Sequence, residues 1–218
     1  MNLQWLAETP LFQGTSAGEI QAMLSCLGAR QQHFAKGEAI YRADGTVQAL
    51  GLVLSGSVHI EYHDFWGNRT ILGQAGPGEI FAETYACLPE EPLMVDVSAV
   101  QDSQVLFLQV DKILRTCPRS CGHHARLIQN LLAVSARKNL ALSRRMLYTA
   151  PKTIRGRLLS YLSAQAMQKG PCFSIPFNRQ QLADYLGVDR SALSHELGKM
   201  QAEGLLRFRK NVFELKES

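Results

Sequence analysis

The sequence predicts an α+β fold in three parts: an N-terminal antiparallel β-roll (a double-stranded β-helix, jelly-roll-like), a long dimerisation helix and a C-terminal winged helix-turn-helix. Three observations predict it. Between His33 and Val110, turn signals recur about every ten residues among short β-branched and apolar runs, the spacing of a small sandwich or barrel. From about His123 to Leu147 the apolar period is helical, interrupted by Lys138. Residues 178–206, NRQQLADYLGVDRSALSHELGKMQAEGLL, place two short helices on either side of a glycine. The expected boundaries are 1–118 for the roll, 119–150 for the long helix and 151–218 for the winged unit.

Bulk properties narrow the class. A hydrophobic share of 46% against 19% charged residues excludes a disordered chain. No apolar run approaches the roughly 18 residues that span a bilayer. The opening MNLQWLAETPLF lacks the basic start and apolar stretch of a secretory signal, so the cytoplasm is the expected compartment and no membrane partner is expected. Five cysteines (Cys26, Cys87, Cys117, Cys121, Cys172) form an odd set without an export signal, which leaves buried thiols or a metal or redox site rather than structural disulfides. Charge is lopsided: 10 Lys and Arg against 13 Asp and Glu before residue 144, and 13 against 6 from there on. A basic C-terminal third fits a polyanionic partner, and equally a solvated basic surface.

The elements follow in order. Ser16 is placed to cap a lead-in helix carrying Ile20, Met23, Leu24 and Leu27. In the roll, turns fall at Lys36-Gly37, Asp44-Gly45, Ser55-Gly56, Trp66-Gly67 and Gly76-Pro77-Gly78. GLVLSGSVHIEYHD and FWGNRTILGQAGPGEIF then read as two hairpins. Asp111 is a candidate cap for a short helix ending before Pro118. The long helix carries Leu127, Leu131, Val134, Lys138 and Leu142 at spacings of three and four, close to the seam of a coiled coil. At about 37 Å it outruns a small sheet domain, so a partner helix from a second copy is expected to cover it. Ala150-Pro151 ends it. A further helix from about Lys152 to Lys169 and a brief strand, Phe173 to Phe177, lead to the last segment.

That segment carries the chemistry. Asn178 and Gln181 have the spacing of a capping box. Leu182, Ala183 and Leu186 face inward on the first helix, Gly187 supplies the turn, and Val188 packs beneath it. Asp189 caps the second helix, whose buried stripe is Leu193, Leu197 and Met200. The opposite face presents Arg190, Ser191, Ser194 and His195. A helix of this kind enters the major groove by its N-terminal residues, and Arg190 suits a bidentate contact to guanine. Arg179, Gln180 and Lys199 suit phosphates. Leu206 to Leu215 reads as a two-stranded wing with a basic tip. A plain helical hairpin with ordinary surface charge is the rival reading.

These residues resemble the CRP/FNR family of transcription regulators over nearly the whole chain. The resemblance rests on the order of the parts, on Gly51 to Val58, on Gly78 to Glu83, and on Leu182 to Glu203. It implies a homodimer on a near-palindromic double-stranded DNA operator, with an effector in a cyclic-nucleotide-binding-like roll re-aiming two recognition helices. RNA polymerase is the protein partner such a regulator implies. Arg190 falls on the family's base-reading arginine, while Ser191 stands where many members carry Glu and His195 where many carry Arg.

The family's cyclic-nucleotide pocket pairs Gly-Glu with the ribose and Arg-Ser with the phosphate. Here the first maps to Ala82-Glu83, followed by Thr84, and the second to Leu93-Met94, which offers neither a cation nor a hydroxyl. A buried phosphate without a cation is strongly disfavoured, so cyclic AMP is not the expected effector. Leu140 and Ala141, where the long helix closes the pocket, are apolar too. A small apolar ligand fits that lining, as does a pocket filled by side chains. Cys117 and Cys121, beside His123 and His124, are the alternative, as ligands of zinc or an iron–sulfur cluster. A haem on His33, His59, His63, His123 or His124 is a further option.

Two other classes stay open: a cupin-like metal-dependent enzyme, for which His59, Glu61 and His63 share one strand face, and a ligand-independent structural DNA-binding protein. No phosphate loop or nucleophile–base arrangement supports catalysis, so no enzyme is expected.

Overall fold

The computed structural model describes residues 2–114 and 122–216. They form two compact units, Met1–Ala136 and Arg137–Ser218, and the long helix belongs in part to each. The mixed α+β class and the order of parts agree with expectation.

In the first unit, Asn2 caps α1 (Leu3–Glu8), and Ser16 caps α2 (Ala17–Cys26) in a reciprocal capping box with Glu19. Strands β1 (Arg30–Phe34), β2 (Ala39–Tyr41), β3 (Ala49–Ser55), β4 (Val58–His63), β5 (Arg69–Ala75) and β6 (Ile80–Phe81) follow. After α3 (Glu83–Cys87) come β7 (Asp96–Ala99), β8 (Ser103–Gln109) and α4 (Val110–Leu114). Asp111 lies in the first turn of α4 instead of capping it. The strands make two four-stranded antiparallel sheets, ordered β1-β8-β3-β6 and β2-β7-β4-β5.

This topology corrects the hairpin reading. β3 and β4 lie in different sheets, as do β5 and β6, so the turns at Gly56 and at Gly76-Pro77-Gly78 cross between sheets. The true hairpin is β4–β5, closed by Asp64, whose Oδ1 accepts from the N–H groups of Trp66 and Asn68. Local sequence could not tell these turns apart, because partner choice depends on which strand buries which face.

The β1-β8-β3-β6 sheet is buried on both sides at its centre. Val53, Phe81, Val105 and Phe107 face Val58 and Val97 of the opposite sheet. Leu50, Leu52, Leu106 and Leu108 face the other way, against Leu6, Phe12, Ile20 and Leu27 of the helical lead-in. Two-sided burial explains why β8 reads as a continuous apolar run.

Helix α5 (Gly122–Thr149) corrects the expected seam. Leu127, Leu131 and Val134 pack into the core of their own first unit, and Asn130 Nδ2 donates to the carbonyls of Leu11 and Gln13. The large apolar residues of α5 left exposed are Leu132, Leu140, Leu142, Met146 and Leu147. Of the stripe expected from the sequence, Leu127, Leu131 and Val134 are thus used within the protomer, whereas Leu142 stays uncovered.

In the second unit, Thr153 caps α6 (Ile154–Lys169), and β9 (Cys172–Ser174) joins β10 (Leu206–Arg209) and β11 (Val212–Leu215) in a sheet ordered β10-β11-β9. The wing expected as two strands therefore has a third. Helices α7 (Arg179–Leu186) and α8 (Arg190–Ala202) pack with α6 around Leu158, Leu162, Leu182, Leu193, Leu197 and Phe213.

Gly51 gives this packing a test. A Cβ there would stand 2.2 Å from the Phe81 ring, so the ring fills the space a side chain would need. Gly51→Ala is expected to destabilise the chain by about 1–3 kcal/mol through overpacking, read as a lower urea midpoint at unchanged slope.

Candidate nucleic-acid interface

The helix pair is built as its sequence dictates. Asn178 Oδ1 accepts from the Gln181 N–H at 2.9 Å, and Gln181 Oε1 accepts from the Asn178 N–H at 2.9 Å. Gly187 ends α7 at φ 63°, in the left-handed region that glycine enters without steric penalty. Asp189 then caps α8, accepting from the Ala192 N–H at 2.8 Å and from the Ser191 hydroxyl. Those two donors, the hydroxyl first, hold the Asp189 carboxyl below its usual range.

With Leu193, Leu197 and Met200 fully buried, the other side of α8 exposes Arg190, Ser191, Ser194, His195 and Lys199. Arg190 makes no ion pair among the described residues and presents its guanidinium fork freely. The two serines are less free than the sequence suggested. Ser191 donates to Asp189, and Ser194 donates back to the Arg190 carbonyl at 2.9 Å, so each hydroxyl has already placed its proton and can only accept from a further partner.

The residues read as phosphate contacts divide. Lys199 is exposed and unpaired among the described residues. Gln180 Nε2 donates to Asp184 one turn on, at 2.8 Å. Arg179 lies over the Phe208 ring at 4.9 Å, and burial pulls its guanidinium below the usual range. It borders a cleft between the start of α7 and the wing tip, where Lys210 turns the chain at φ 55° and Asn211 follows.

Three arginines that the sequence counted only as basic charge hold the helix pair in place. Arg145 donates to the carbonyls of Tyr185 and Asp184, at 3.0 and 3.1 Å. Arg157 donates to those of Leu186 and Gly187, at 3.0 and 2.9 Å. Between them they serve the orphan carbonyls at the C-terminus of α7, where cations are favoured. Arg155 bridges Glu196 at 2.6 Å and forks onto Glu203 at 2.7 and 2.9 Å, tying α6 to α8. Nothing local signals these contacts, whose partners lie 29 to 48 residues away.

The expected effector residues fall on several elements of the two units. Ala82 takes φ 59°, the left-handed conformation that suits the glycine of the family pattern. Glu83 is buried and Thr84 exposed at the start of α3. Leu93 is buried in the core with Leu50 and Ile80, whereas Met94 is 70% exposed. Leu140 and Ala141 are exposed on the part of α5 that belongs to the second unit. Cys117 and Cys121 lie outside the described residues. Cys26, Cys87 and Cys172 are free and exposed, and desolvation, then the Glu83 carboxylate, push the Cys87 thiol up. Among the described residues no group of three or more His, Cys, Asp or Glu could hold a metal ion. His123 Nδ1 instead meets Glu19 at 3.0 Å, and His63 Nδ1 meets Asp96 at 2.9 Å.

Comparison with known proteins agrees with this geometry. Residues 31–120 match the cyclic nucleotide-binding domain and residues 156–217 the Crp-like helix-turn-helix domain. The chain is 27% identical over 212 residues to the cyclic AMP receptor protein of Thermus thermophilus, covering 96% of this chain and 94% of that one. The crystal structure of the catabolite activator protein of that organism aligns at a TM-score of 0.52 and 26% identity, over 96% and 94% of the two chains. The c-di-GMP-responsive regulator CLP of Xanthomonas campestris shares the fold at a TM-score of 0.56, with 22% identity over 93% and 100%. A cyclic-nucleotide-binding-like sensor domain followed by a Crp-like helix-turn-helix defines a DNA-binding transcription regulator. The chain belongs to the CRP/FNR family. Among the described residues no helix is long and apolar enough to cross a membrane.

The Asp189 cap has a consequence in acid. A carboxyl held below its unfolded value contributes stability that is present above that value and lost as pH falls through the folded one. The melting temperature of the full chain is expected to fall below about pH 4. Asp189→Asn, which keeps an accepting oxygen, should show a smaller acid drop when melting is followed from neutral pH downward.

Proposed function

We propose that the chain is a homodimeric, sequence-specific transcription regulator of the cytoplasm, that it is no enzyme, and that its signal is not a cyclic nucleotide held by arginine. The observation that carries the DNA reading is the exposed face of α8, where Arg190 is unpaired and Lys199 lies further along the same helix. Arg190 reads a base edge, His195, Ser191 and Ser194 add acceptors or weaker contacts, and Lys199 holds phosphate. Arg179, stacked on Phe208, and the wing tip at Lys210 flank the backbone.

The dimer reading rests on α5. Leu132, Leu140 and Leu147 expose a stripe that water disfavours, and the matching helix of a second copy supplies the same apolar side chains. A two-fold pair matches a near-palindromic operator. RNA polymerase is the further partner a transcription regulator requires. For the signal, Leu93 and Met94 offer no cation to a cyclic phosphate, which separates this chain from a relative whose name states that it receives cyclic AMP. A small apolar molecule suits Ala82 and Met94 better.

Titration of fluorescent duplexes across a salt series tests these roles. Arg190→Ala is expected to weaken specific binding by about 1–3 kcal/mol and to relax preference at one base pair per half-site. Lys199→Ala should weaken all duplexes alike and lower the salt slope by about 1. Cyclic AMP should leave both affinities unchanged. Equal effects of the two substitutions would overturn the assignment. Leu132→Glu, which changes an exposed side chain, should shift sedimentation from dimer to monomer and lower operator affinity without lowering helix content.

A further inference from the structure

The β2-β7-β4-β5 sheet has two faces of opposite character. Val58, Ile60, Val97 and Ala99 point between the sheets. The alternate residues face outward: His59 opposite Ser98, and Glu61 opposite Asp96. Over this outer face opens a cavity of about 420 Å³, within the range of small-molecule sites.

Its floor is a buried carboxylate. Glu61 is only 4% exposed although it lies on the outside of the roll. Arg69 Nη2 donates to its Oε1 at 2.5 Å and the Ser98 hydroxyl donates to the same oxygen at 2.8 Å. His59 Nδ1 stands 3.5 Å from it. Among the described residues no donor reaches Oε2, so the floor keeps a free accepting oxygen. The guanidinium of Arg69 already occupies the place a metal ion would take on this carboxylate.

Positive charge is in excess around that floor. Lys36, Arg42 and Arg69 line the cavity with only Glu61 and Asp96 to balance them. Asp96 is fully engaged, accepting from the Ala43 N–H at 2.9 Å and meeting His63 at 2.9 Å. Lys36 and Arg42 form no ion pair among the described residues. The rim that carries Lys36 is held firm: the Lys36 N–H donates to Asp102 at 3.0 Å and the Gly37 N–H to the Ala99 carbonyl at 2.8 Å. A fixed rim spares a ligand the entropy of ordering it.

We propose that this outer-face basin binds a small polyanion bearing a hydroxyl group, a hydroxycarboxylate or a sugar-type phosphate. Its anionic groups meet Lys36, Arg42 and the remaining N–H groups of Arg69, and its hydroxyl donates to Glu61 Oε2. The basin lies on the opposite side of the sheet from the interior of the roll, so it is distinct from any site there.

Calorimetric titration of the full chain at constant ionic strength tests this, with citrate and glycerol 3-phosphate as the two sources of anion. Tricarballylate, which is citrate without its hydroxyl, is the control. At least one of the first two should bind in the millimolar range or tighter, and the stronger of them identifies the anion. Tricarballylate should bind more weakly than citrate if citrate is that anion. The double substitution Lys36→Ala, Arg42→Ala should weaken binding at least about tenfold. It should leave the melting curve and operator binding in place, since neither side chain forms an ion pair among the described residues. Failure of both anions to bind, an unchanged affinity in the double variant, or, where citrate is the stronger ligand, equal binding of citrate and tricarballylate would overturn the proposal.

Discussion

Presentation of one helix face depends on how the turn between α7 and α8 is held. Burial of Leu193, Leu197 and Met200 against Leu158, Leu162 and Leu182 fixes the rotation of α8. The carbonyls at the end of α7 would otherwise be orphans, and Arg145 and Arg157 bond them from α5 and α6. Arg155 completes the frame through Glu196 and Glu203. Apolar burial supplies the energy and the guanidinium forks supply the direction, so Arg190 can stand unpaired on the face that remains.

The basic C-terminal third has two physical meanings as a result. Part of its charge is structural, spent on carboxylates and helix-end carbonyls inside the unit. The rest, at Arg190, Lys199 and the wing tip, stays exposed and without an ion pair among the described residues. A net charge does not separate these uses, because an arginine facing a carbonyl and an arginine facing solvent contribute equally to the count.

The sensor unit shows a similar division between the two faces of its sheets. One sheet is apolar on both sides at its centre, and the helical lead-in and the first turns of α5 seal it. The other sheet keeps an apolar inner face but turns a charged row outward, where the buried Glu61 is tolerated only because Arg69 and Ser98 bond it. The roll therefore offers two chemically distinct environments, an apolar interior and a polar basin outside.

What could be read from residues alone was local. The cap at Ser16, the capping box at Asn178, the turn at Gly187, the cap at Asp189 and the inward stripe of α8 each depend on residues spaced within four positions of one another. Short-range hydrogen bonds and side-chain period decide them, and all are found where the sequence placed them. The separation of β3 from β4 and of β5 from β6 into different sheets, the anchoring arginines and the stripe of α5 that stays uncovered depended on which distant surfaces meet. The same leucines serve equally well as an internal core or as a seam between copies, and only the packed chain assigns Leu127 and Leu131 to the first use.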